Sequence, residues 1–286
     1  MSEGPTRVAP IDYVQRWRQL VRTRGDQGRR LDPQHDRADF WAGFRAERFR
    51  RMTVEVQTAA TDPFLDLVRP AITRATTILD VGAGAGRHAL ALAPMVARVT
   101  AVEPSPAMRE QLAVGVGQLV VPNVMVVADG WPEAQVEPAD IVICSHVVYF
   151  TEEIEPFLRR LTGVTRQRLY MVVRFEQREL AFLDLFEKVW GEPRCFEPTF
   201  VDLFGAACQL GIWPNVTRIP YTSNVRFDSL DEAIQFIRAD LLNPETPGVE
   251  DTIRAYLKDH MLVRDGTWSW DLPSLWAGVL WWEPAG

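Results

Sequence analysis

Cysteine is scarce in this 286-residue chain: Cys144, Cys195 and Cys208 stand far apart, an odd set with no C-x-x-C pair. That argues against a disulfide framework or a thiolate zinc site and for a reducing compartment, the cytoplasm. Long apolar runs are also lacking. No apolar segment follows Met1 and no run reaches spanning length, so neither export nor membrane insertion is expected. An excess of positive charge is missing too: the net charge of −7 disfavours a dedicated nucleic-acid binder. Internal repeats and low-complexity segments are absent.

What remains is the composition of a folded chain, 47% hydrophobic and 24% charged. The length suits one large domain, or one domain with an appendage. Charge is unevenly placed. Residues 1–60 hold 12 Arg against 8 acidic residues, so the remainder carries a net −11.

The stretch from Thr77 to Leu92, TILDVGAGAGRHALAL, organises the rest. Ile78, Leu79 and Val81 read as a buried strand, Gly82, Gly84 and Gly86 as a turn, and His88 to Leu92 as a helix. Such a turn offers free backbone N–H groups and a helix dipole to a ligand, and glycine lets that ligand approach the backbone. A dinucleotide fingerprint, G-x-G-x-x-G, would need its last glycine where Arg87 stands, which disfavours a dehydrogenase. A second strand, Arg98 to Val102, ends at Glu103, 21 positions after Gly82. A strand-end acid at this distance meets ribose hydroxyls, and its two oxygens match a vicinal diol. Ser105-Pro106 then reads as a helix cap and first turn.

The form hydrophobic-Asp80-hydrophobic-Gly-x-Gly-x-Gly resembles motif I of the class I S-adenosylmethionine-dependent methyltransferases. The resemblance in motifs covers about residues 75–175. It implies a Rossmann-like, mostly parallel seven-stranded sheet with helices on both faces, an N-terminal helical arm (1–60) and a methyltransferase domain (61–286). A helical insert at 228–270, before the last strand, would cap the substrate. The implied cofactor is S-adenosylmethionine, with S-adenosylhomocysteine as product. Gly82, Ala83, Gly84 and Gly86 would receive its methionine portion, and Asp80 would hold the turn or contact the amino group. Glu103 and Pro104 would lie at the ribose, Met108 against the adenine face, and Asp129, Gly130 and Trp131 at the adenine edge. Asp129-Gly130 is equally a good turn dipeptide.

Ala139 to Ser145, ADIVICS, reads as a central strand because its apolar run is continuous. It delivers Ser145, His146 and Tyr149 to the carboxyl end of the sheet, where open α/β sheets bind ligands. In the family that end faces the transferring methyl group, so His146 is the candidate base and Tyr149 its positioning partner.

Elsewhere, Tyr13, Trp17, Leu20 and Val21 have helical spacing, with a loop expected from Gly25 to Asp36. Phe40, Trp41, Phe44, Phe49 and Met52 resume the period among arginines. Thr61-Asp62-Pro63 signals a helix start. Strands are expected at 123–128 and 168–174, and helices near 155–161, 180–189 and 199–210, with 114–122 a frayed helix end. A strand from Asn215 to Phe227 is interrupted by Pro220, Ser229-x-x-Glu232 caps a helix, another spans 251–262, and Gly278 to Trp282 closes the sheet.

The strand-four sequence Cys-Ser-His-Val lacks the Asn/Asp-Pro-Pro-Tyr pattern of amino-methylating nucleic-acid enzymes, and no Pro-Cys pair marks the pyrimidine-C5 classes. A small-molecule acceptor is therefore expected, bound by a monomer or homodimer. Aromatic residues such as Trp41, Phe44, Tyr149 and Trp190 are available to its cavity, although each taken singly reads more readily as core. Two alternatives stand: an RNA methyltransferase whose arginine-rich arm tracks phosphates, and a non-catalytic S-adenosylmethionine- or S-adenosylhomocysteine-binding protein.

Overall fold

The computed structural model describes residues 10–32, 62–177, 180–221, 226–270 and 275–284. The aromatic helix expected over 40–52 and the cap at Thr61 lie outside them.

The apolar runs pair as their composition demands. Strands β1 (Thr77–Val81), β2 (Arg98–Val102), β3 (Val124–Val127), β4 (Ala139–Ser145) and β5 (Thr165–Arg174) are parallel. Strand β10 (Leu275–Trp282) runs antiparallel between β5 and the edge strand β6 (Asn215–Tyr221), giving the order β3-β2-β1-β4-β5-β10-β6. Pro220 sits on that edge, where a missing N–H costs no ladder bond.

Period-two alternation divides the core. Leu79, Val81, Val142 and Cys144 face one layer, and Ile78, Val99, Ile141 and Ile143 face the other. The first layer is closed by helices α1 (Tyr13–Leu31), α5 (Ile154–Gly163) and α7 (Phe200–Gln209). The second is closed by α2 (Pro63–Val68), α3 (Arg87–Leu92) and α4 (Pro106–Leu119). A third cluster joins α6 (Leu183–Trp190), α8 (Leu230–Asp240) and α9 (Val249–His260), where Leu185, Ile237, Ile253 and Leu257 are fully buried.

Three local expectations change. Helix α1 runs unbroken through Gly25 to Leu31, because Gln27 and Gly28 are buried against the chain following α6. Tertiary packing outweighs the glycine penalty there. Helix α4 continues through Gly115, where a side chain would meet Leu90 at 2.4 Å, so this glycine permits close helix packing rather than fraying. The insert is helical over α8 and α9, but then forms a hairpin, β8 (Met261–Arg264) and β9 (Thr267–Trp270). Strand β7 (Arg226–Phe227) pairs with β9 instead of extending β6. The hairpin signal is Asp265-Gly266, both at positive φ. Among the described residues, no helix is long and apolar enough to cross a membrane.

Candidate active site

The site is built at the carboxyl ends of β1, β2 and β4. Gly82, Gly84 and Gly86 have φ of +71°, +57° and +91°. Backbone N–H groups of Gly82 and Ala83 donate to Val102 O at 2.8 and 3.0 Å, stitching the turn to β2. Directly after β2, Glu103 is 5% exposed and bridges two loops. Its Oε2 accepts from Gly84 N–H and its Oε1 from Ser105 N–H, both at 2.8 Å. The two oxygens of one carboxylate match the two hydroxyls of a vicinal diol. A Cβ on Gly84 would meet nothing within 4 Å, so the turn opens onto space at its middle glycine.

Asp80 is buried below the turn and accepts from Ala89 N–H in the first turn of α3. Burial pushes its carboxyl up to about 7; the bond from Ala89 opposes the rise and the charge of Glu103 adds to it. Arg87, the residue that replaced a fingerprint glycine, pairs with the buried Asp62, the N-cap of α2.

Ser105 caps α4 by accepting from Met108 N–H, and the Met108 side chain is buried while Pro104 is exposed. Asp129 is exposed and its Oδ1 accepts from Gly130 N–H at 2.8 Å, the geometry of a local turn. Trp131 is half-buried, donates through Nε1 to Phe157 O and joins Pro132 by a cis peptide bond. Among the described residues no hydrogen bond joins Asp129 to the glycine turn or to Glu103.

On the β4 side, Ser145 is half-buried and His146 takes φ of +58°. Its N–H donates to Val172 O, and Val147 packs on Gly82, so the two loops touch. Nδ1 of His146 lies 3.0 Å from the hydroxyl of the buried Tyr149, which also accepts from Arg174 N–H at 2.9 Å. The Arg174 guanidinium lies 4.0 Å from the Tyr149 ring centroid. Burial, then the charges of Arg174, Arg87 and His88, hold His146 well below its ordinary value, so the imidazole is neutral at pH 7.

Helix α1 covers the flank. Trp17 is fully buried and donates to Thr151 O. Arg16, Arg18, Arg22 and Arg30 pair with Asp202, Glu153, Glu152 and Glu192.

The spacing brought Asp80, the three glycines, Glu103, Ser145, His146 and Tyr149 to one end of the sheet; it missed Arg174, Glu197 and the glutamines that hold them. A charge closing the apolar run Met171-Val172-Val173 is the one signal for Arg174.

A parallel sheet with one antiparallel strand near its edge, a glycine turn after β1 and an acid after β2 together define the class I methyltransferase fold. Residues 79–173 match the family model described as a methyltransferase domain. Residues 79–173 thus carry a methyltransferase domain, set within a fold of the class I S-adenosylmethionine-dependent type. No curated protein matches the sequence. Among solved structures, the YcgJ protein of Bacillus subtilis is 15% identical, covering 78% of this chain and 97% of its own, with TM-score 0.52. A candidate methyltransferase of Bacillus halodurans C-125 is also 15% identical, covering 79% and 99%, with TM-score 0.52. These likenesses show the fold. A magnesium protoporphyrin IX methyltransferase from Synechocystis PCC 6803, with bound S-adenosylhomocysteine, is 17% identical over 74% and 94%, with TM-score 0.47.

Proposed function

We propose that the protein moves the methyl group of S-adenosylmethionine to a small-molecule acceptor that reaches the cofactor past His146 and Tyr149. The bridging carboxylate of Glu103 carries this reading: it ties the open glycine turn to the next loop and sets an acid at the strand end, where ribose hydroxyls are met. The cradle fits the cofactor, since Gly84 leaves free space where the backbone must be approached. Gly82 to Gly86 would hold the methionine portion and Glu103 and Pro104 the ribose. Met108, Asp129, Gly130 and Trp131 would hold the adenine, with the Gly130 N–H leaving Asp129 to reach a ring nitrogen.

The cofactor supplies an electrophilic methyl on sulfur; the acceptor's electron pair forms the new bond and the sulfur keeps the old one. The protein's part is alignment and proton removal. A neutral His146 is available to take a proton from a hydroxyl or ammonium acceptor. In the described helix α1, Arg16, Arg18 and Arg22 are each paired with an acidic residue of the body, so their charge is neutralised there, which supports the small-molecule reading. Residues 226–270 form the cap over the acceptor, and the three free cysteines, with Cys144 buried, fit a cytoplasmic protein.

An acceptor screen with S-adenosylhomocysteine detection tests this function. His146→Ala is expected to cut turnover of a hydroxyl or ammonium acceptor by on the order of 10²- to 10⁴-fold, with cofactor affinity unchanged. Unchanged turnover would end the assignment of a base. If no acceptor class yields product while cofactor binds, the protein is a non-catalytic binder.

Asp80 gives a pH test. Its folded pKa of about 7 exceeds the ordinary 3.8, so the folded state binds the proton more tightly, and Asp80 destabilises the apo fold as pH rises through that window. A cationic cofactor beside it favours the carboxylate. S-adenosylmethionine should therefore bind several-fold more tightly at about pH 8 than at about pH 6, and Asp80→Asn should bind with no such slope. Calorimetry at both pH values checks it; equal slopes would place the titration on another group.

A further inference from the structure

Residues 191–198, between α6 and α7, form a strap dressed by two glutamine side chains. Gln27 of α1 is 4% exposed and donates through Nε2 to Glu192 Oε1 and Pro193 O, while its Oε1 accepts from Cys195 N–H. Gln177, beyond β5, donates to Glu197 O and accepts from Glu197 N–H, both at 2.9 Å. Each carboxamide treats the strap as a neighbouring strand would, satisfying its backbone where no ladder exists.

This strap ends against the reaction face. The Glu197 side chain is 7% exposed and pairs with Nη2 of Arg174, itself 12% exposed, at 2.5 Å. Arg174 lies over Tyr149 and its N–H holds the hydroxyl that meets His146 Nδ1. A guanidinium buried without its counterion is costly, so pairing with Glu197 helps to keep Arg174 over the ring.

We propose that Glu197 is a positioning residue of the acceptor site: fixed by Gln177 and the strap, it holds Arg174 across Tyr149 and so keeps the Tyr149 hydroxyl on His146. This rests on the reading of His146 and Tyr149 as the acceptor-facing pair. The effect of Glu197 passes through Arg174, with which it pairs. Among the described residues, Arg174, Arg87 and His88 are the charged and titratable groups that lower the His146 pKa. Of these, Arg174 is the one the strap controls.

Long-range proton–nitrogen NMR of the His146 ring tests the proposal without a known acceptor, using the full chain as wild type, Glu197→Ala, Glu197→Gln and Gln177→Ala. Calorimetry with S-adenosylhomocysteine runs beside it. Wild-type His146 should show one neutral tautomer. In Glu197→Ala the two nitrogen signals should move toward tautomer averaging, and the ring pKa should rise as Arg174 leaves. Glu197→Gln should retain part of the wild-type pattern, because it keeps an acceptor for Arg174. Gln177→Ala should shift the ring in the same direction by less. S-adenosylhomocysteine affinity should stay within about twofold throughout, since the strap's hydrogen bonds run to α1, Gln177 and Arg174 and not to the glycine turn. Unmoved His146 signals in Glu197→Ala and Gln177→Ala, with the cofactor product still bound, would overturn the proposal. Should Glu197→Ala fail to fold, Gln177→Ala decides alone, because it preserves every charge. Failure of the wild type to bind S-adenosylhomocysteine would instead strike the cofactor reading and leave the NMR comparison standing.

Discussion

Gly82→Ala is expected to destabilise the protein by about 3 kcal/mol or more and to abolish measurable cofactor binding. Two penalties combine. At φ of +71° a side chain pays about 1–2 kcal/mol for left-handed backbone. The new Cβ would also stand 2.3 Å from Cγ2 and 2.9 Å from Cγ1 of Val147. Val147 has little room to yield, because its neighbour His146 is tied through its N–H to Val172 in β5. Overpacking of this kind typically costs about 1–3 kcal/mol, and relief by backbone movement would pull the glycine turn from β4. Adding Val147→Ala should remove the clash and leave the backbone penalty, recovering part of the stability. Gly84→Ala makes the contrast. Its Cβ meets open space, so the fold should lose only the backbone penalty while the methyl obstructs the ligand. Thermal unfolding and calorimetry with S-adenosylhomocysteine measure both quantities. Normal binding by folded Gly82→Ala would show that the turn is not the cofactor's seat.

Glu103→Ala should weaken S-adenosylmethionine at least tenfold, by on the order of 1.5–3 kcal/mol, and also lower stability. The double effect follows from the bridge. Removing the carboxylate deletes the ribose acceptors and leaves Gly84 N–H and Ser105 N–H without their partner, at a cost of about 1–3 kcal/mol for a buried donor. Glu103→Gln is no rescue, because its amide nitrogen would face one of two backbone donors. Both variants should therefore bind poorly, with Glu103→Gln keeping more of the stability. Micromolar binding retained in Glu103→Ala would remove Glu103 from the cofactor site and with it the assignment of strand two.

The glycine turn and its acid were legible because they are local. Positive φ at 82, 84 and 86 demands glycine, a continuous apolar run demands a buried strand, and the spacing to Glu103 is the length of one helix and one strand. The same reasoning stopped α1 at Gly25, frayed α4 at Gly115 and missed the β8–β9 hairpin. In the first two, glycine was read as a breaker where neighbours had made it useful: Gln27 anchors α1 beyond Gly25, and Leu90 fills the space that Gly115 leaves.

Taken alone, the sequence determined the class of fold and the cofactor, and it set the glycine turn and Glu103 at one end of the sheet, since each rests on backbone demands within a few residues of one another. Tertiary structure alone decided that Arg16, Arg18, Arg22 and Arg30 of α1 are bound to the body and that Arg174 lies over Tyr149. It also decided that Glu197 and two distant glutamines hold it there. Gln27 meets Cys195 across 168 positions, and a single polar side chain has no period or motif from which such a contact can be read. Its partner is set by the topology that folds the chain back, and by the rule that a buried polar group must find one.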